Sequence, residues 1–562
     1  MKATQALAKF FPILHWLPLY KKRTFAGDLS ASLIVAALLI PQSLAYALLA
    51  GLPAQAGIYA SILPLIIYAF FASSMVQSVG PMAISAVMTA STLAPLALAG
   101  SAEYSALAAS LALLSGLFLA ALGFMQLGFV TQFLSHPVIN GFTSGAAILI
   151  IVGQAPFLLG VQSNTPQLFP QLQHAMFGLS CLSLLWLAGS PLSKLLHHNK
   201  IPYASLIAKL SPLLLMLMVT GIVYTLDIKT RLIGAFPATL PTIIWPAISL
   251  NTLSQLWLPA ITISLAGFLQ SITIAQSLAL KARRNIDSNQ ELIGLGAANI
   301  AAAASAGFPV SGGFSRTAVN AASGANTPMA GVMTATWIAL AAHWLGDYLA
   351  LLPQALLAAT IILVAIRLID FNFLARSWRY DWRDGAAFIS TALAVLIFGP
   401  MQGIVAGAGV SILLFLYRSS QPHIAIVGRI AGTEHFRNIH RFTTQTDPRI
   451  VAVRIDESLY FGNSAKIQAE LIHILAQTPA TEHLLLILSA VNSIDYSAME
   501  TISLLQENLR ARQIKIHLAE VKGPVMDHLR RSEKLSTLDG EVFLSTHSAM
   551  QALSGVKEDF SI

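Results

Sequence analysis

The sequence predicts a polytopic α-helical membrane protein with a small α/β domain at its C-terminal end. Three observations predict it. Of 562 residues, 55% are hydrophobic and only 10% are charged, where soluble domains carry roughly 25% charged residues. So few charges cannot cover a water-facing surface, so lipid is the main solvent. Long apolar runs separated by short loops continue to about Arg418. Beyond Arg418 the runs become short and lie between polar segments.

Hydrocarbon about 30 Å thick takes a helix of about 20 residues. Candidate helices fall near 29–49, 54–72, 81–98, 105–124, 126–159, 176–190, 203–226, 257–280, 288–306, 315–323, 328–346, 353–370, 385–400 and 402–418. These are fourteen segments, several too short to span by themselves. The first strong run, near Asp28–Ala50, is too long for a signal-peptide core, so no cleavable leader is expected.

Basic residues orient the bundle. Lys21, Lys22 and Arg23 precede the first segment. Lys194 and Lys200 follow the sixth, and Lys281, Arg283 and Arg284 the eighth. Arg376, Arg379 and Arg383 follow the twelfth, and Arg418 closes the fourteenth. With this count they share one side, and the other shows little beyond Lys229 and Arg231. The positive-inside bias then places both termini in the cytoplasm, with the chain in the inner (plasma) membrane. The same bias accounts for the net charge of +8 without a nucleic-acid partner.

In the C-terminal part, residues 449–455 (RIVAVRI), 484–489 (LLLILS) and 514–519 (IKIHLA) read as buried strands. Ala465–Gln477 and Ser497–Arg512 show helical spacing between them. Strand–helix alternation indicates a small α/β domain. It lacks a glycine-rich phosphate loop, so a binding or regulatory module is expected, not an enzyme. The expected boundaries are an N-terminal cytoplasmic segment 1–24, a transmembrane domain 25–419, a linker 420–446 and the final domain 447–562.

Chemistry concentrates in two interrupted stretches, VGPMAIS (79–85) and GFPVSGGFSRT (307–317). Each places Gly and Pro before a run too short to span. Proline breaks helical pairing, so extended chain leading into a half-helix is expected. Irregular backbone survives at membrane depth only beside protein or a water-filled cavity. Matched interruptions in two halves of a chain point to a midplane substrate site. Each half-helix presents free N–H groups and a positive dipole end, which suit an anion. Ser85 and Ser315 add hydroxyls, and Arg316 adds a full charge. An Arg in mid-span costs roughly 2.5–3.5 kcal/mol on insertion scales; the bland alternatives are a kinked helix and a snorkelling side chain.

Four of these stretches resemble the SulP family of sulfate permeases, also called the solute carrier 26 family. They are PQSLAYALLAGLPAQAGIYAS (41–61), VGPMAIS, DSNQELIGLGAANIAAA (287–303) and FPVSGGFSRTAVNAASGANTPMAG (308–331). DPRIVAVRIDESLYFGNSAKI (447–467) and LILSAVNSIDYSAMETI (486–502) resemble that family's STAS domain. The resemblance implies fourteen segments as two inverted repeats of seven. It implies a core domain of segments 1–4 and 8–11 and a gate domain of segments 5–7 and 12–14. It further implies elevator-type movement, a homodimer, and a STAS domain open to a cytoplasmic protein partner. Carried over residue by residue, it places Gln42 and Tyr46, then Met82, Ala83, Ile84 and Ser85, then Gly313, Phe314, Ser315 and Arg316 at the substrate site. Met82 stands where some relatives carry an aromatic.

One departure bears on energetics. Several bacterial relatives carry a carboxylate, implicated in proton or sodium coupling, where this chain has Gln270. Importing one negative charge against 100 mV costs about 2.3 kcal/mol, and an amide cannot titrate, so exchange, facilitated flux or coupling through another group is expected. In the STAS part, Asp495 and Ser497 occupy a turn that carries a phosphorylatable serine in related anti-sigma-factor antagonists, with Ala498 replacing the usual glycine. Elsewhere, Glu291 is expected to pair with Arg283 or Arg284, Asp28 to sit at a helix N-terminus, and His136 to lie in a loop. Cys181 reads as inert packing, and no metal-ligand spacing, catalytic group or cofactor is expected. The leading expectation is secondary transport of a sulfate-like anion. Bicarbonate, chloride or dicarboxylate carriers, an anion channel or a sensor signalling through the STAS domain, and a membrane enzyme acting on lipid-linked substrates are the competing readings.

Overall fold

The computed structural model describes residues 10–129, 135–160, 168–189, 191–192, 194, 198, 204–234, 241–532 and 538–555. The expected helical residues 130–134, 190 and 203, and Lys200, lie outside them. The chain forms two compact units, Met1–Ser411 and Ile412–Ile562.

In the first unit the helices are α1 Lys22–Leu49, α2 Ala54–Tyr59, α3 Leu63–Phe71, α4 Ala83–Leu93, α5 Ala102–Phe124, α6 His136–Leu159, α7 Leu168–Ala188 and α8 Ala204–Thr225. They continue as α9 Leu250–Lys281, α10 Ser288–Ala304, α11 Phe314–Ala322, α12 Met329–Ala350, α13 Gln354–Ile366, α14 Phe371–Tyr380, α15 Trp382–Phe398 and α16 Pro400–Ser419. Among the described residues, eight helical stretches are long and apolar enough to cross a membrane. The expected second segment is broken at residues 60–62, and the fifth starts at His136 instead of 126. His136 opens a helix because Pro137, with no N–H to lose, is favoured in a first turn. The twelfth segment ends at Ile366, and α14 follows as a separate helix.

The helices pack in two groups. α10 lies along α5 and α3, α9 along α5, and α12 and α11 against α1. Small residues permit the closeness of α5 and α10: a Cβ on Gly116 would fall 2.7 Å from the Gly296 carbonyl. In the second group α6 packs on α15, α13 and α7, and α7 on α8.

The second unit holds β3 Ile424–Arg429, β4 Phe436–Asn438, β5 Ile450–Ile455, α17 Ser464–Gln477, β6 His483–Ile487, α18 Tyr496–Arg510, β7 Lys515–Ala519, α19 Gly523–Arg531, β8 Val542–Phe543 and α20 Thr546–Ser554. The sheet order is β4-β3-β5-β6-β7-β8, with β5 to β8 parallel. Residues 420–446, expected as a linker, therefore contain two strands of this sheet; β3 pairs antiparallel with β5 and β4. Their pattern was hard to read because β4 is three residues of mixed polarity. The central strands carry apolar residues on both faces because both faces are covered. Val451, Val453, Leu484 and Leu486 pack with α17 and α18, while Ala452, Leu485 and Ile487 pack with Ala549 of α20.

A histidine pair lies in this sheet. The Glu541 N–H donates to His517 Nδ1 at 3.0 Å, and His517 Nε2 faces His483 Nδ1 at 3.1 Å. Burial, the His483 ring and Lys515 press the His517 pKa down to about 4. The folded pKa lies below the unfolded value near 6.5, so this group's stabilising contribution is complete above about pH 6.5 and is lost as pH falls towards 4. Hydrogen exchange at residues 541–543 is expected to rise over that window, and His517→Gln is expected to flatten the rise.

Candidate anion-binding site

Two short helices meet in the first unit. α4 has 11 residues and α11 has 9, both too short to cross a bilayer. Extended chain precedes each: β1 is Val79–Gly80 and β2 is Ser311–Gly312. The two pair antiparallel, Val79 with Gly312 and Gly80 with Ser311. The Gly313 N–H continues the ladder to the Ser78 carbonyl at 3.1 Å, and the Gly312 N–H donates to Ser271 Oγ of α9 at 2.7 Å. Met82 and Gly313 are the N-caps, both in extended backbone and neither capped by a side chain. The first intrahelical bonds are Ala86 N–H to the Met82 carbonyl and Thr317 N–H to the Gly313 carbonyl. The N–H groups of Ala83, Ile84 and Ser85, and of Phe314, Ser315 and Arg316, precede those bonds. Positive partial charge from both helices therefore gathers around the short ladder.

Arg316 is 1% exposed. Its Nη1 donates to the Pro81 carbonyl at 2.6 Å, tying α11 to the chain entering α4. Its Nε and Nη2 are buried without a hydrogen-bond partner. Among the described residues no acidic side chain pairs with it. A buried cation with free donors and no counter-ion is costly, and a bound anion removes that cost. Gly313 makes room for it, since a Cβ there would fall 2.9 Å from Arg316 Nε.

The other expected site residues are distributed as follows. Tyr46 of α1 is buried within electrostatic reach of Arg316. Gln42, half-buried, stands one turn earlier beside Pro41, which has no N–H and so leaves the Ala37 carbonyl without its helical donor. Ser85 Oγ lies 3.5 Å from Ser311 Oγ. Met82 is half-buried, Ala83 and Ile84 are buried, and Phe314 and Ser315 are exposed. Gln270 of α9 is half-buried with Oε1 unpartnered. In the second unit Asp495 caps α18 by accepting the Ala498 N–H at 2.8 Å, and Ser497 is exposed in the first turn.

Sequence reasoning missed several neighbours. Thr317 Oγ1 accepts the Ser78 N–H at 3.1 Å, and Asn320 Nδ2 donates to the Val76 carbonyl at 2.8 Å. Gln77 is buried with both amide atoms unpartnered. A glutamine within such a stretch, two residues before a Val-Gly-Pro break, was the available signal.

Two expectations are corrected. Glu291 is fully buried and meets no arginine; its carboxylate accepts from the Tyr68 hydroxyl, from Ser73 N–H and Oγ at 3.2 and 3.1 Å, and from Ser74 N–H at 3.2 Å. Arg283 and Arg284 lie in the turn past the end of α9 and are exposed, where water solvates them. Asp28 is not at the start of its own helix, because α1 begins at Lys22. It is buried and accepts the Asn326 and Thr327 N–H groups at 2.6 and 3.2 Å, just before α12. Each buried carboxylate thus fixes chain next to one half-helix, Glu291 ahead of β1 and Asp28 after α11.

The sulfate permease family model matches residues 25–391 and the STAS domain model residues 441–549. The chloroplastic sulfate transporter 4.1 of Arabidopsis thaliana is 31% identical over 98% of this chain and 83% of its own. A probable sulfate transporter of Mycobacterium tuberculosis is 32% identical over 95% of this chain and 96% of its own. Among solved structures, SLC26A9 superposes with a TM-score of 0.87 at 21% identity, covering 99% of this chain and 94% of that one. The transmembrane domain of the cyanobacterial bicarbonate transporter BicA superposes at 0.59 with 22% identity, over 69% of this chain and 98% of that one.

Proposed function

The chain belongs to the sulfate permease family as an anion transporter with a C-terminal STAS domain, and from that premise we propose that it carries sulfate between the ends of α4 and α11. The observation that carries this reading is Arg316, buried with two free donor nitrogens and, among the described residues, no acidic counter-ion. The anion is bound by Arg316, by the N–H groups of Ala83, Ile84 and Ser85 and of Phe314 and Ser315, and beside Met82, Gly313, Gln42 and Tyr46. Sulfate ranks first because relatives above 30% identity carry sulfate transporter in their names.

Every element of this site belongs to the helix group of α1–α5 and α9–α12, which acts as the moving core. The group of α6–α8, α13, α15 and α16 acts as the gate. Movement of the core carries the anion by alternating access, in a homodimer in the plasma membrane with both termini cytoplasmic. The STAS domain is the regulatory module, and the exposed turn at Asp495 and Ser497 is its contact for a cytoplasmic protein.

Gln270 sets the energetics of this reading. A neutral amide at that place gives exchange or facilitated flux. Labelled sulfate uptake into proteoliposomes is expected to saturate, to be accelerated by sulfate inside, and to change little with an inward proton or sodium gradient. Bicarbonate, chloride and fumarate serve as competitors. Uptake that only a proton or sodium gradient drives would contradict the exchange mode, and bicarbonate displacing sulfate at far lower concentration than sulfate itself would contradict the substrate.

A further inference from the structure

The arginines expected in a loop after the twelfth segment sit on and beside a helix of their own. No residue of α14 is buried. Phe371, Leu374 and Trp378 recur at helical spacing on one face, and Asn372, Arg376 and Arg379 fall on the other. Carboxylates cap two helix starts here: Asp370 accepts the Phe373 N–H at 2.8 Å at the start of α14, and Asp381 accepts the Arg383 N–H at 3.0 Å at the start of α15.

The helix is fastened to α15. The Phe373 ring stacks on Phe388 with centroids 6.2 Å apart, and the Trp378 ring lies over Gly385, where a Cβ would fall 2.2 Å from it. Trp378 is nevertheless 49% exposed, with Phe371 at 70%, Trp382 at 54% and Tyr380 at 90%. Arg376 and Arg379 have no acidic partner among the described residues; Arg376 Nε bonds only the Asn372 carbonyl of its own helix, at 3.3 Å. Arg383 lies 5.8 Å from the Trp382 ring centre and 3.7 Å from Asp381.

These features fit neither plain water nor hydrocarbon. Exposed tryptophan and tyrosine favour the headgroup layer of a bilayer, where an apolar body and a polar tip are both satisfied. A short amphipathic helix joining two apolar helices lies along that layer. Free guanidinium groups beside the aromatics match the geometry of a phosphodiester. In a zwitterionic lipid the attached cation offsets the phosphate, so net-anionic lipids gain the larger attraction.

We propose that α14 is a docking surface for anionic phospholipid headgroups, with Phe371, Trp378 and Trp382 seated in the interface and Arg376 and Arg379 holding lipid phosphate. The full-length protein is placed in nanodiscs of mixed phosphatidylcholine and phosphatidylglycerol, and the lipids it retains are counted by native mass spectrometry. Wild type is expected to retain phosphatidylglycerol preferentially. R379Q is expected to cut that preference roughly fivefold, and R376Q/R379Q further, because one juxtamembrane cation is worth about 1 kcal/mol. A K229Q/R231Q variant is expected to keep the wild-type preference. Unchanged preference in R376Q/R379Q, or an equal loss in K229Q/R231Q, would overturn the assignment; the first result would point to a protein partner, the second to bulk charge.

Discussion

Arg316→Ala is expected to abolish anion transport while the protein remains folded. In most buried charged sites, removing one partner strands the other at a cost of several kcal/mol. Here, among the described residues, no acidic group depends on the guanidinium, and its one hydrogen bond is to the Pro81 carbonyl. The loss of that bond is offset by removal of a buried charge, so thermal stability without ligand is expected to change little or to rise. Affinity is different. Two unpartnered donors, Nε and Nη2, are available to an anion. Each charge-assisted bond contributes about 1.5–3 kcal/mol, so at least about a hundredfold loss of affinity is expected. Arg316→Lys falls between, because an ammonium cannot hold Pro81 and two oxygens in the same fork. Equilibrium binding and a melting curve on the same sample check both halves. Wild-type affinity in Arg316→Ala would remove the residue from the site.

Glu291→Ala is expected to show the opposite signature: a large loss of stability, with transport lost as a consequence. The carboxylate takes four hydrogen bonds from Tyr68, Ser73 and Ser74. Truncation leaves a buried phenol and two backbone N–H groups without this acceptor, while the Ser73 hydroxyl keeps the Asp287 carbonyl at 3.2 Å. Each interhelical bond in a membrane contributes about 0.6–2 kcal/mol and each stranded group costs about 1–3 kcal/mol. A non-additive total of roughly 3–5 kcal/mol is expected. Glu291→Gln keeps the shape but turns an N–H donor towards Ser73 and Ser74 or towards Tyr68, so it is expected to be nearly as damaging. Melting followed by size-exclusion fluorescence in detergent reads the stability. A variant that melts with wild type yet fails to transport would assign Glu291 to the transport cycle instead of to the scaffold.

The two sites differ in how far the sequence exposes them. Arg316 was legible because charge is rare in an apolar chain and because Gly-Pro breaks mark both half-helices locally. Glu291 was misassigned because its partners lie 217 to 223 residues away, and nothing in NQEL distinguishes a hydrogen-bonded carboxylate from an ion-paired one. Asp28 failed for the same reason: its contacts at residues 326 and 327 are set by packing of α1 against α12. α14 was left in the loop between the twelfth and thirteenth segments because Arg376 and Arg379 lower a running average of hydropathy, while the placement of its aromatic residues around a helix marks an interfacial surface. In the α/β domain the fully buried strands were plain. Their antiparallel neighbours β3 and β4 were not, because one is half-exposed and the other three residues long.

The central claim is that the anion rests between the starts of α4 and α11 on Arg316. Selenate, a sulfate analogue with an anomalous scatterer, tests it directly in crystals of the full-length protein. The expected result is a selenium peak about 4 Å from the Arg316 guanidinium carbon, as charge-assisted contact requires, adjoining the N–H groups of Ala83–Ser85 and Phe314–Ser315 and absent in Arg316→Ala. A peak elsewhere in the transmembrane helices, in a protein that selenate competes for sulfate, would contradict the account.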